Sequence, residues 1–101
     1  MKVGWTFLST HGQVLLAVAG DPSARVRDLA ERVGISTRAV LTVLDDLERA
    51  GYVHRDRVGR RTRYTVHPEL PMRHPAVAHH RVGELLDVLG DRAPGLTGER
   101  A

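Results

Sequence analysis

The sequence predicts an α+β fold, mainly α, with three helices, a β-hairpin and a C-terminal helix. Three observations predict it. Two apolar stripes at helical spacing, Val26/Leu29/Ala30/Val33 and Val40/Val43/Leu44/Leu47, are separated only by Gly34-Ile35-Ser36. Directly after them, residues 52–58 and 62–67 read as strands around Gly59-Arg60-Arg61. A third helical stripe, Ala78/Val82/Leu85/Leu86/Leu89, follows a proline-punctuated connector.

The first helix is expected to open at Thr10-His11-Gly12-Gln13. This is a capping box, in which the threonine hydroxyl takes an orphan amide and the glutamine reaches back. The helix runs to about Ala19 and stops at Gly20-Asp21-Pro22. Trp5 and Phe7 precede it on an extended segment, with core or dimer packing as their expected use. The second helix spans Val26 to Val33, and Gly34 ends it where a left-handed residue is favoured. Ile35 follows as a buried plug. Ser36 caps the third helix, which runs to about Ala50 with Gly51 closing it.

Two helices joined by so tight a turn form a helix-turn-helix. Small Ala30 lets the second helix approach the third, Gly34 makes the turn, and Ile35 with Val40 locks the crossing angle. The strands Tyr52–Val58 and Thr62–His67 follow, Tyr64 and Val66 facing one side and Arg63 and Thr65 the other. A hairpin in this place is a wing. After His67-Pro68-Glu69-Leu70-Pro71, Pro75 suits the first turn of the last helix and Gly90 its end. The expected organisation is a winged helix-turn-helix over residues 1–72, a dimerising helix over 73–90 and a flexible tail over 91–101.

The net charge, +3 over 101 residues, is modest, but fourteen of the fifteen cations are arginine. Residues 52–67 hold Arg55, Arg57, Arg60, Arg61 and Arg63 against Asp56 alone, +4. Residues 25–50 balance to zero and the remainder carries −1, so the whole excess lies in the hairpin. A concentrated basic patch is the footprint of a polyanion partner, most often nucleic acid. The absence of cysteine excludes disulfides, thiolate metal sites and catalytic thiols. The longest apolar run near the N-terminus, Val14 to Ala19, is six residues. A signal peptide needs about 7–15 and a membrane span about 20. A cytoplasmic protein with no membrane partner is therefore expected. No Ser/His/Asp set, paired carboxylates or phosphate-cradling glycine loop points to an enzyme.

At this point the sequence resembles a family. LAERVGISTRAVLTVLDDLERAGYV, Leu29 to Val53, is similar without a gap to the winged helix-turn-helix core of MarR-type and ArsR-type bacterial transcriptional regulators. RDRVGRRTRYTVHP is similar to their wing, with an Asp-bearing first strand and an Arg-rich tip, and the resemblance covers about residues 10–67. It implies a regulator that binds duplex DNA, a repressor sooner than an activator. Neither the motifs nor the composition names a cofactor or a small-molecule effector.

A recognition helix presents its outward N-terminal residues to base edges in the major groove. Here these are Thr37, Arg38, Leu41 and Thr42, with Arg38 suited to guanine O6 and N7. Leu41 either touches a thymine methyl or is packed, and the sequence leaves both open. Ser36 and the helix N-terminus offer amides to a phosphate, and Arg27 is a further phosphate contact. Asp45, Asp46 and Glu48 would repel DNA, so only the first two turns should be inserted. Arg60 or Arg61 at the tip suits the minor groove, where narrow stretches attract arginine. Arg55, Arg57 and Arg63 are assigned to phosphates or to Asp56.

One short helix gives little specificity, so a homodimer is expected, reading a pseudo-palindrome with half-sites roughly 10 bp apart. Its seam is assigned to Ala78, Val82, Leu85, Leu86 and Leu89 with help from Trp5 and Phe7, against the alternative that this stripe packs on its own core. Two other functions compete. His74, His79 and His80, with Glu84 four residues after His80, raise a metal-responsive repressor. Adjacent His79 and His80 should point in different directions and no full ligand set is evident, so no metal ligand is assigned. A winged-helix protein-interaction module is the other, but such modules usually lose the charge that this hairpin concentrates.

Overall fold

The computed structural model describes residues 4–90. Helix α1 spans Thr10–Gly20, α2 Val26–Val33 and α3 Thr37–Arg49. Strands β1 (Val53–Val58) and β2 (Arg61–Val66) form one antiparallel hairpin, and α4 (Val82–Leu89) ends the described chain. This is a winged helix: three helices, a two-stranded wing and a fourth helix returning to the first. The expected tail over 91–101 lies outside the described residues. No helix among them is long and apolar enough to cross a membrane.

Every stripe residue of α3 is buried: Val40, Val43, Leu44 and Leu47. They meet Val14 and Val18 of α1, Leu29 and Ala30 of α2, and Val53 and Tyr64 of the hairpin in one core. Burial of this apolar surface is what makes helices of 8 to 13 residues stable, since such lengths are marginal alone. The turn between α2 and α3 has the expected form. Gly34 sits at φ 85°, and the Gly34 and Ile35 amides both donate to the Ala30 carbonyl, at 2.8 and 3.0 Å. Ile35 is half-buried against the core. After α3, the Gly51 amide donates to the Glu48 carbonyl and the Tyr52 amide to Leu47, a Schellman closure that turns the chain into β1.

Three expectations are corrected. Ser9, not Thr10, caps α1: its hydroxyl oxygen accepts from the Gly12 amide at 3.1 Å, and Thr10 is already helical. Gln13 does reach back, but to the Leu8 carbonyl and the Thr6 hydroxyl, both at 3.2 Å. Starting one residue earlier gives the Gln13 amide the Ser9 carbonyl, so the cap moves with it.

The hairpin loop has two residues rather than three. Val58 pairs with Arg61, leaving Gly59 at φ 64° and Arg60 as the tip. Glycine adopts that left-handed conformation without a Cβ clash, which permits the shorter loop. Arg61 is therefore a strand residue. The sheet continues by one bond past β2, where the Tyr64 amide donates to the Pro22 carbonyl at 2.8 Å.

The last helix is shorter than expected. Pro75–Val77 forms a single 3₁₀ turn, and extended backbone at Arg81 (ψ 153°) separates it from α4. The chain breaks there because residues 68–72 and 80–83 lie antiparallel. Met72 donates to His80, Val82 to Leu70 and Gly83 to Pro68, each at 2.9–3.0 Å. Such a ladder requires extended backbone and cannot coexist with a continuous helix from residue 75. Ala78 consequently leaves the stripe and is exposed at the end of the 3₁₀ turn. Val82 is buried in the chain's own core, and Leu86 packs against it.

Candidate nucleic-acid interface

Helix α3 is capped by Ser36, whose hydroxyl oxygen accepts from the Ala39 amide at 3.0 Å. That leaves the Thr37 and Arg38 amides at the helix tip, the partial positive end of the dipole. Thr37, Arg38, Leu41 and Thr42 are all exposed on the face opposite the buried stripe. Leu41 is 45% exposed, whereas Leu44 and Leu47 of the same helix are buried. Thr42 Oγ1 donates to the Arg38 carbonyl at 3.2 Å. The Arg38 guanidinium makes no hydrogen bond or ion pair among the described residues, and neither does that of Arg27 on α2; both side chains are exposed.

The second half of α3 is acidic, and its acids are held by an arginine and a histidine from other elements. Arg55 of β1 forks onto Glu48, through Nε at 2.9 Å and Nη2 at 2.6 Å, and onto Asp45 at 2.7 Å. The guanidinium side chain is only 26% exposed. Hydrogen bonding to Arg55 holds the Glu48 carboxyl below its usual range, and hydrogen bonds to Asp45 and Glu48 raise the guanidinium further above its own. Asp46 meets His11 Nε2 of α1 at 2.8 Å. The assignment of Arg55 to a phosphate or to Asp56 is thereby corrected. An arginine facing two carboxylates across a half-buried seam gains two charge-assisted bonds there. Asp56 instead meets His54, at 3.0 Å on its own strand.

The register sorts the wing arginines. Val53/Val66, Arg55/Tyr64 and Arg57/Thr62 share one face, while His54/Thr65, Asp56/Arg63 and Val58/Arg61 share the other. Arg61 donates through Nη2 to the Ser23 carbonyl, and Arg63 through Nη1 to the Ser23 hydroxyl at 3.4 Å. Both belong to the tie between wing and α1–α2 loop. The side chains of Arg57 and Arg60 are exposed and have no hydrogen bond or ion pair among the described residues. Of the two tip arginines considered from sequence, Arg60 is the free one. Ser23 itself was not singled out, and nothing in Asp21-Pro22-Ser23 signals a partner forty residues away.

The residues assigned to a dimer seam divide. Val82 and Leu86 serve the chain's own core, as the competing reading had it, and Ala78 is off the helix. Trp5 and Phe7 are 74% and 93% exposed, edge to face at 5.1 Å, which excludes core packing. Leu89 is 48% exposed, and Val88, outside the predicted stripe, 80%. The histidines do not gather into a metal site. His80 Nδ1 meets Glu84 at 2.5 Å, and the His79 and His80 rings lie together at 4.2 Å rather than apart. Among the described residues no three His, Cys, Asp or Glu side chains could hold one ion.

A concavity that the sequence did not signal lies beside α3. It is an open groove of about 620 Å³ lined by Ser9, His11, Asp46, Arg49, Tyr52 and Arg73. Its members come from α1, α3, the Tyr52 turn and the connector, so no local motif could have revealed it.

Comparison with known proteins agrees with this architecture. Residues 8–54 match the winged helix-turn-helix DNA-binding family. Among solved structures, the chain is similar to the PcaV transcriptional regulator from Streptomyces coelicolor, crystallised with its natural ligand. The TM-score is 0.55 at 23% identity, covering 91% of this chain and 70% of that one. A search of curated proteins finds no match.

Proposed function

We infer that the winged helix-turn-helix matched over residues 8–54 is the DNA-binding part of a sequence-specific transcriptional regulator. The observation that carries this reading is the distribution of free charge. Arg38 at the open end of α3, Arg27 in the first turn of α2, and Arg57 and Arg60 on the wing are exposed, while the acids of α3 are held by Arg55 and His11. Arg38 then donates to guanine in the major groove, Thr37, Leu41 and Thr42 touch neighbouring base edges, and Ser36 with the helix tip takes a phosphate. Arg60 enters the minor groove, with Arg57 and Arg27 on the backbone. A protein-interaction module has no need of such a surface.

The working form is a cytoplasmic homodimer on a pseudo-palindromic operator, residues 1–72 reading DNA and 73–90 helping to pair two copies. The exposed Trp5, Phe7, Val88 and Leu89 supply apolar surface for the seam. A second copy would cover them more readily than water. Occupying an operator excludes other proteins from it, and repression follows without further contacts. Selection from a randomised duplex pool tests the reading. It should enrich an inverted repeat bound with a steep salt dependence, at a mass of two copies by light scattering. Failure to enrich any sequence, with a flat salt response, would overturn it.

One observation favours ligand control of the same regulator. The groove is lined by Arg49 and Arg73, whose guanidiniums are unpaired among the described residues, and by the His11–Asp46 pair. An organic carboxylate fits that chemistry, and competition for His11 would release Asp46 of the recognition helix. Thermal shifts across a carboxylate panel, abolished by Arg49→Ala/Arg73→Ala, would support it. A panel without effect on melting or DNA affinity would remove it.

A further inference from the structure

The outward face of α3 sets one cation beside two apolar groups. Arg38, Leu41 and Thr42 stand at i, i+3 and i+4, so they share a face over one helical turn. Leu41 is 45% exposed, whereas the other leucines of α3, Leu44 and Leu47, are buried. A single exposed leucine is ordinary on a protein surface; what sets this one apart is its place beside the free Arg38. Thr42 spends its hydroxyl proton on the Arg38 carbonyl at 3.2 Å, leaving the γ-methyl and lone pairs as its outward chemistry.

We propose that Leu41 and the Thr42 methyl group read a C5-methylpyrimidine next to the guanine taken by Arg38. The proposal rests on the major-groove reading of α3. Within that groove, bases show hydrogen-bond donors and acceptors, with the C5-methyl group as the one apolar feature. Leucine gives nothing to a donor or acceptor, so pressing it on an unmethylated edge strips water from polar atoms without replacement. Against a methyl group the same contact buries apolar surface on both sides. The cluster therefore selects for the methyl group and against its absence. Thymine and 5-methylcytosine both carry it.

The enriched duplex is resynthesised with thymine, uracil, cytosine or 5-methylcytosine at the pyrimidine beside the guanine, and each is titrated by fluorescence anisotropy. The wild type should bind the thymine duplex about fourfold more tightly per half-site than the uracil duplex, the worth of one buried methyl. A parallel preference for 5-methylcytosine over cytosine would assign recognition to the methyl group whatever its base. A preference confined to thymine over uracil would assign it to thymine, and either result supports the proposal. Leu41→Ala should lower the methyl preference toward unity while keeping the guanine preference and the melting temperature. Leu41→Met, which keeps apolar volume, should retain it.

Equal binding of thymine and uracil duplexes by the wild type overturns the proposal, with no dependence on how a variant folds. So does full methyl preference in folded Leu41→Ala. A pool that enriches nothing is a different failure, of DNA recognition itself.

Discussion

The two halves of α3 are built on opposite terms. From Thr37 to Thr42 the exposed side chains are polar, cationic or apolar, with no acid, and Arg38 makes no ion pair. From Asp45 to Glu48 the exposed and half-exposed side chains are acids, Asp45 and Glu48 held by Arg55 and Asp46 by His11. One half is left open for a partner, and the other is engaged within the molecule. On the proposed DNA-binding reading, the difference is how a helix of 13 residues approaches a polyanion despite its acidic end. The acids face Arg55 and His11, where they fasten the wing and α1 to the helix. On the proposed DNA-binding reading, Arg55 also offsets the repulsion that Asp45 and Glu48 would exert on DNA.

Substitutions should separate the halves. The largest effect on DNA belongs to Arg38→Ala. Affinity for the selected duplex should fall about 10- to 100-fold, with unchanged melting, because the side chain is exposed and touches no described partner. Parallel titration and thermal melting check this, and a falling melting temperature would erase the contrast.

Next is Arg55→Ala, with the effects reversed. It should cost about 1 kcal/mol of stability, a modest figure because the carboxylates it holds are 36% and 53% exposed. It should also weaken DNA binding by uncovering both acids, and adding Asp45→Asn with Glu48→Gln should restore that binding but not the lost stability. Denaturant melts and anisotropy on the three variants decide.

A pH series sharpens the same point. Arg55 holds the Glu48 carboxyl below its ordinary 4.5, so the pair's contribution is full above that pH. It is lost as pH falls through the lower folded value. The stability gap between wild type and Arg55→Ala should therefore be constant near neutrality and narrow below pH 4.5.

In the wing, Arg60→Ala should reduce the slope of log affinity against log salt by about one unit. Arg61→Ala should change the slope less, since its guanidinium is on the Ser23 carbonyl, and should loosen the hairpin instead. Smallest of all is His11→Ala. A pair with both side chains 47% exposed should shift stability by no more than about 0.5 kcal/mol.

Much of this was legible along the chain. The stripe Val40/Val43/Leu44/Leu47 placed α3 and, by exclusion, its outward face, because helical periodicity is a local property. Gly34 and Ser36 gave the turn for the same reason: a left-handed glycine and a capping hydroxyl act within a few residues. The wing's position was equally plain, but its loop was one residue too long in the sequence reading, which put Arg61 at the tip. Helical spacing also overextended the last helix, since Ala78 and Val82 have the right separation whatever the backbone does between them. The ladder from residues 68–72 to 80–83 that breaks it joins segments the periodicity does not relate.

By itself the sequence determined the element order, the buried and outward faces of α2 and α3, and the concentration of charge in the hairpin. Each follows from propensity, capping and period, which depend on near neighbours. Only the tertiary structure decided which charges are free. Arg55, Arg61 and Arg63 look no different from Arg57 and Arg60 in the sequence. They differ because packing brings Glu48, Asp45 and Ser23 within hydrogen-bonding reach of the first three. An ion pair depends on distance in space, and the core, by fixing where wing and helices meet, sets those distances.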